Sequence, residues 1–230
     1  MWSVQITDQM LNILHIIGSP RNERSVSGQV AQTYLAELKK IKVKSRVDTL
    51  DVWKDDLPEF NEHALNAKYA GLQGLELSDE QTVAWNSIRQ LAGRFFQADV
   101  ILFSVPMWNF GIPYKLKQLI DLISQKDVLF TFDERGFIGK LNHKKAILIS
   151  ARGINYATGT DTPESEFDFQ NSYMLMWFKF IGITDTTIIK IEQTLFGNEA
   201  AKNALAVGLA AAITAAAETS SGINNPLSPI

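Results

Sequence analysis

Leu11-Asn12-Ile13-Leu14-His15-Ile16-Ile17, followed at once by Gly18-Ser19-Pro20-Arg21-Asn22-Glu23-Arg24-Ser25-Val26-Ser27, decides the architecture. The first segment is a short, continuous apolar run with β-branched residues, the pattern of a strand buried on both faces of a parallel sheet. The glycine- and serine-rich turn after it opens onto a helix. Ser25 or Ser27 can cap that helix, and Val30, Tyr34 and Leu38 recur on one face as it runs to about Lys40. Strand, polar turn and helix in this order start an α/β layer structure.

The same unit repeats outward from this point. Lys42–Val52 alternates polar and apolar and carries charge, which predicts a second strand at a sheet edge. From Trp53 to Gly74 the pattern loosens around Pro58, and a loop with a short helix is expected. Ser78 and Gln81 make a capping box, after which Ala84, Ile88, Leu91 and Phe95 follow at helical spacing. Val100–Val105 is nearly all apolar and reads as a central strand, and Pro113 suits the first turn of the helix that carries Leu116, Leu119, Ile120 and Ile123. Val128–Leu141 is hairpin-like and rich in phenylalanine and glycine; Lys145–Ala151 is a fourth strand and Thr184–Ile191 a fifth. Helices are predicted over Glu166–Ile181 and Glu199–Glu218, the latter with Leu205, Leu209 and Ile213 packed on the sheet. The reading is one domain over residues 11–219, an N-terminal extension over 1–10 and a polar tail over 220–230 whose last residues, Asn224–Ile230, are expected to be disordered.

Composition removes several chemistries. Of 230 residues, 22 are Lys or Arg and 25 Asp or Glu, so the net charge of −3 provides no basic field for nucleic acid or anionic lipid, and neither partner is expected. The chain has no cysteine, which excludes thiolate nucleophiles, disulfides and cysteine-ligated metal centres. Its three histidines, His15, His63 and His143, show no metal-ligand clustering, and His15 within the first strand reads as a core residue. The N-terminus lacks a basic n-region and an apolar h-region, and the uncharged run between Lys202 and Glu218 is too short for the ~20 apolar residues that span a bilayer. A cytoplasmic protein is expected.

In such sheets ligands bind beyond the carboxyl ends of the strands. Three loops leave that edge. Gly18–Ser27 carries three serines and two arginines into a helix N-terminus, where backbone N–H groups and the helix dipole favour phosphate, although serines acting only as caps explain it equally. It is neither a Walker A loop nor a Gly-x-Gly-x-x-Gly turn. Val105–Pro113 holds Trp108 and Phe110 between two prolines, poised for a flat ligand or for a core or interface. Ser150–Tyr156 carries Arg152, which cannot lose its charge, and Gly153, which permits close backbone approach.

Ser19 with Ser25-Val26-Ser27, Pro106-Met107-Trp108-Asn109-Phe110-Gly111-Ile112-Pro113, Arg152-Gly153 and Phe180-Ile-Gly-Ile-Thr-Asp185, in this order, resemble the FMN-dependent NADH azoreductases of the flavodoxin-like quinone reductases. The resemblance implies a flavodoxin-like three-layer α/β sandwich with a five-stranded parallel sheet of order 2-1-3-4-5. It implies that Ser19, Ser25, Val26 and Ser27 hold the FMN phosphate, that Met107, Trp108, Asn109 and Phe110 lie along the isoalloxazine, and that Ala151, Arg152, Gly153 and Ile154 meet its other edge. Phe132 and Phe180 would shape a substrate pocket, Phe180 across a homodimer interface. Where the family has a second glycine, this chain has Ile154.

The implied reaction is ping-pong two-electron transfer from NADH or NADPH through bound FMN to a quinone or azo compound. The flavin does the chemistry and no catalytic side chain or metal is needed. Arg152 is then a candidate positive charge near flavin N1. Two other readings stand beside it: a flavodoxin-type electron carrier, and a cofactor-free binding module of the same fold.

Overall fold

A strand with no polar face must lie between two apolar layers, and the computed structural model, which describes residues 10–224, builds both. The chain runs β1 (Leu11–Ile17), α1 (Val26–Lys40), β2 (Ser45–Asp51), α2 (Glu62–Gln73), α3 (Asp79–Gln97), β3 (Val100–Pro106) and α4 (Tyr114–Ile123). It continues with β4 (Phe130–Asp133), β5 (Gly136–Gly139), β6 (Lys145–Ala151), α5 (Glu164–Phe167), α6 (Phe169–Phe180), β7 (Asp185–Ile191) and α7 (Asn198–Asn224). The main sheet has the order β2-β1-β3-β6-β7, every neighbour parallel. This is the expected 2-1-3-4-5 order with the β4–β5 hairpin interposed in sequence and paired only with itself.

Successive residues of each central strand go to opposite sides. Leu14, Ile16, Ile101, Phe103, Val105, Ala146 and Leu148 pack with α3, α4 and α6, whereas Leu11, Ile13, Val100, Leu102, Ile147 and Ile149 pack with α1 and α7. His15 is buried, with Nε2 3.0 Å from Ser104 Oγ, and burial pushes its pKa down to about 4. A neutral core histidine, as expected, is the result.

Two helical regions differ from their predicted form, the second in three respects. The helix predicted over Glu166–Ile181 is broken at Asp168, whose Oδ1 accepts from the amides of Gln170 and Asn171 and so starts α6 afresh. The closing helix runs six residues past Glu218, through Asn224, so the first residues assigned to the tail are helical. The rest of that tail, 225–230, and residues 1–9 of the N-terminal extension lie outside the described residues. Of the predicted Leu205-Leu209-Ile213 stripe, Leu205 and Leu209 pack half-buried against the sheet-side cluster, but the fully buried face of α7 is made of smaller residues. Gly208, Ala212, Ala215, Ala216 and Thr219 are buried there, while Ile213 is exposed. A Cβ on Gly208 would lie 2.9 Å from Ile191 Cγ1 and 3.1 Å from Val30 Cγ2, so small residues let α7 lie close on α1 and β7. Finally, Asn198–Gly222 is long and apolar enough to cross a membrane by length and composition, contrary to the shorter uncharged run. Its seat on α1 and β7 makes it a layer of the sandwich.

The register fixes where ligands can approach. Ile17 pairs with Asp51 and Ser104, Pro106 with Ala151, and Ala151 with Ile191, so the carboxyl ends of all five strands finish at one edge. The loops that follow β1, β3, β6 and β7 therefore emerge side by side.

Candidate functional site

The loop after β1 begins tightly, with Gly18 N–H donating to the Ser104 carbonyl at 2.9 Å. A 3-10 turn over Asn22–Arg24 then delivers Ser25 as the N-cap of α1, its Oγ accepting from the Gly28 amide at 3.1 Å. Capping accounts for one serine only. Ser27 lies inside the helix and Ser19 six residues before the cap, yet both are buried, and Ser27 Oγ stands 3.3 Å from Ser25 Oγ. In the first turn, Gly28 and Gln29 give their amides to Ser25, leaving those of Val26 and Ser27 as open donors among the described residues, at the positive end of the helix dipole.

The loop after β3 is stiffened less by its prolines than by its turn. Trp108 N–H donates to the Gly111 carbonyl at 3.0 Å and Gly111 N–H to the Trp108 carbonyl at 2.9 Å. Asn109 and Phe110, between them, have φ of 47° and 68°. A phenylalanine in the left-handed region is strained, and strain of this kind survives where surrounding contacts hold it. Trp108 is held by Trp53, ring centroids 5.4 Å apart, and Trp53 is itself fixed by its Nε1–H bond of 3.0 Å to the Gly18 carbonyl. Phe110 packs on Phe167 at 5.3 Å. The Met107 amide donates to the Ala151 carbonyl at 2.8 Å, joining this loop to the third.

The third loop overturns one expectation. The Arg152 side chain is wholly buried, with Nη1 3.0 Å from Glu164 Oε1 and 3.3 Å from Glu192 Oε1, Nη2 on Asp168, and Nε donating to Gln170 Oε1 at 3.3 Å. It stacks on Tyr156, 5.2 Å from the ring centroid. A guanidinium saturated by three carboxylates is a structural tie, and it offers no free positive charge to a ligand ring. Burial raises the Glu164 carboxyl, but Lys190 and Arg152 together hold it below its ordinary range.

These loops converge on one cavity of about 160 Å³, lined by Ser19, Arg21, Ser25, Val26, Ser27, Pro106, Met107, Trp108, Ala151, Gly153, Thr194 and Leu195. Eight of the expected site residues meet there; Asn109, Phe110, Arg152 and Ile154 do not line it. Trp108 also borders a larger cavity of about 780 Å³, shared with Asn109, Phe60, Tyr114, Lys117, Phe169 and Tyr173 among others. Phe132 and Phe180 line neither. Phe180 packs on Phe130 and Phe137, and Phe132 on Phe137, in a cluster where the hairpin crosses α6. Sequence reasoning missed Trp53, hidden in a stretch without periodicity, and Thr194 and Leu195, in a loop that bears no motif.

Known proteins resemble this chain in sequence and in fold. A family model described as flavodoxin-like fold matches residues 11–215. The FMN-dependent NADH:quinone oxidoreductase 9 of Burkholderia lata is 51% identical over 189 residues, covering 82% of this chain and 90% of that protein. The FMN-dependent NADH:quinone oxidoreductase 2 of Pseudomonas syringae pv. tomato is 49% identical over 185 residues, 80% and 88% of the two chains. Among solved structures, an azoreductase from Bacillus anthracis superposes with a TM-score of 0.81 at 27% identity, covering 91% of this chain and all of that one. With the parallel sheet, the serine loop and the Met107–Phe110 turn on the same edge, the chain belongs to the flavodoxin-like fold family, in the group whose curated members are named FMN-dependent NADH:quinone oxidoreductases.

Proposed function

We propose that this protein is an FMN-dependent NAD(P)H oxidoreductase that reduces quinones and azo compounds by ping-pong two-electron transfer. The observation that carries the reading is the convergence of serine loop, aromatic turn and third loop on one cavity, with Met107 bonded to Ala151 across it. The donor set fits FMN. Hydroxyls and open amides at a helix N-terminus suit a phosphate dianion, and the apolar wall of Met107 and Trp108 suits a flat ring.

When bound, FMN supplies two-electron transfer between a nicotinamide and an acceptor. The chain supplies position. Ser19, Ser25, Ser27 and the Val26 and Ser27 amides hold the phosphate; Met107, Trp108, Asn109 and Phe110 orient the ring; and the backbone of Ala151, Arg152, Gly153 and Ile154 borders its other side. The Arg152 side chain keeps that backbone in place without touching the ring. The larger cleft beside Trp108, open to solvent and walled by Asn109 and aromatic residues, receives the flat substrates in turn. Phe132 and Phe180 line neither cavity within one chain; the proposal includes a homodimer with its active sites at the interface, where Phe180 reaches across to the substrate pocket. A cysteine-free chain suits the reducing cytoplasm.

The test is steady-state oxidation of NADH and NADPH with menadione and with methyl red. Turnover with parallel double-reciprocal lines is expected. A protein that keeps its FMN and reduces neither acceptor is an electron carrier, and the proposal fails.

A further inference from the structure

The fourth loop at the ligand edge, after β7, is tied to the third loop through four consecutive residues, Glu192 to Leu195. Gln193 N–H donates to the Ile154 carbonyl at 3.3 Å, Thr194 N–H and Oγ1 to the Arg152 carbonyl at 3.2 and 2.9 Å, and Leu195 N–H to the Gly153 carbonyl at 3.0 Å. Glu192 holds the Arg152 guanidinium from the same strand end. A backbone fixed in this way presents its side chains at set positions. One of them, Leu195, is 77% exposed, borders the cavity that holds Ser19, Ser25 and Trp108, and lies across Gly153. A Cβ on Gly153 would stand 2.6 Å from Leu195 Cδ1 and 3.0 Å from its Cγ. The missing side chain at 153 therefore makes room for leucine.

An apolar side chain exposed at the mouth of a cavity gains burial when a ligand fills that cavity. We propose that Leu195 is a ligand-contacting residue of this site: it closes the cavity opposite Trp108 and packs on the bound flavin, and Gly153 is glycine so that Leu195 can lie there. The inference rests on the FMN reading and assigns a wall of that site to a loop that no motif marks.

The experiment is fluorescence titration of the flavin-stripped protein with FMN, comparing wild type, Leu195→Ala, Leu195→Met, Gly153→Ala and the Leu195→Ala/Gly153→Ala double variant, alongside thermal unfolding of each apo form. Burial of one leucine side chain predicts that Leu195→Ala raises the Kd about tenfold. Leu195→Met should restore most of the affinity. Gly153→Ala should weaken binding by displacing Leu195, and should add little once Leu195 is alanine, because the two act through one contact. Apo melting temperatures should stay together. A Leu195→Ala Kd within twofold of wild type, additive effects in the double variant, or a loss of affinity that merely follows a lower melting temperature would overturn the assignment. If wild type itself takes up no FMN, the reading beneath it fails and Leu195 falls with it.

Discussion

Arg152→Met is expected to lower stability by about 3–5 kcal/mol, the cost of removing one partner from a buried ion cluster. The reason lies in what stays behind. Asp168 is buried and already occupied on its Oδ1 by the α6 cap, and Glu164 and Glu192 would face it with Lys190 as the one remaining cation bonded to the group among the described residues. For a chain of this size the loss corresponds to a fall in Tm of roughly 10 °C. Acid should narrow the gap: in the wild type Arg152 helps hold the Glu164 carboxyl below its ordinary range, so the stability this pairing contributes above that range is lost as pH falls through the lowered value. Differential scanning calorimetry at several pH values measures both. A variant melting within 2 °C of wild type at pH 7 would show that the cluster carries little of the fold.

Replacing Ser19 and Ser27 together by alanine should act in the opposite sense, on the ligand and hardly on the fold. Neither residue caps α1, a task that falls to Ser25, and neither belongs to the two apolar clusters. A hydrogen bond to a charged group contributes about 1.5–3 kcal/mol, so losing two predicts at least a ~100-fold rise in the Kd for FMN. Apo Tm should move by less than ~4 °C. Ser25→Ala is the less informative variant, because loss of the cap itself costs about 1 kcal/mol. Isothermal titration calorimetry distinguishes the outcomes, and an unchanged Kd in the double variant would remove the phosphate assignment from this loop.

The sheet was legible because a parallel strand covered on both faces leaves a continuous apolar run, and Leu11–Ile17, Val100–Val105 and Lys145–Ala151 are such runs. The serine loop and the Trp108–Phe110 turn were legible for a related reason, as polar or aromatic residues placed directly at strand ends. The role of Arg152 was not. Its partners lie 12, 16 and 40 residues further along the chain, and only the fold decides whether an arginine after a strand meets a ligand or three carboxylates. Asp168 broke a helix that periodicity alone would continue, since a capping carboxylate within an apolar pattern looks like any exposed acid. Leu195 carried no signal because its exposure has meaning only beside Gly153 and Trp108. Phe132 and Phe180 were read as pocket residues, and within one chain they close on each other's neighbours instead.

The cavity beneath these four loops is proposed as a flavin site. The visible absorption spectrum of the protein after equilibration with FMN and exhaustive dialysis tests it most directly. A flavin site gives a yellow protein that retains stoichiometric FMN per chain, with flavin bands that bleach on addition of NADH under anaerobic conditions and return with menadione. A protein that dialyses to a colourless solution would contradict it.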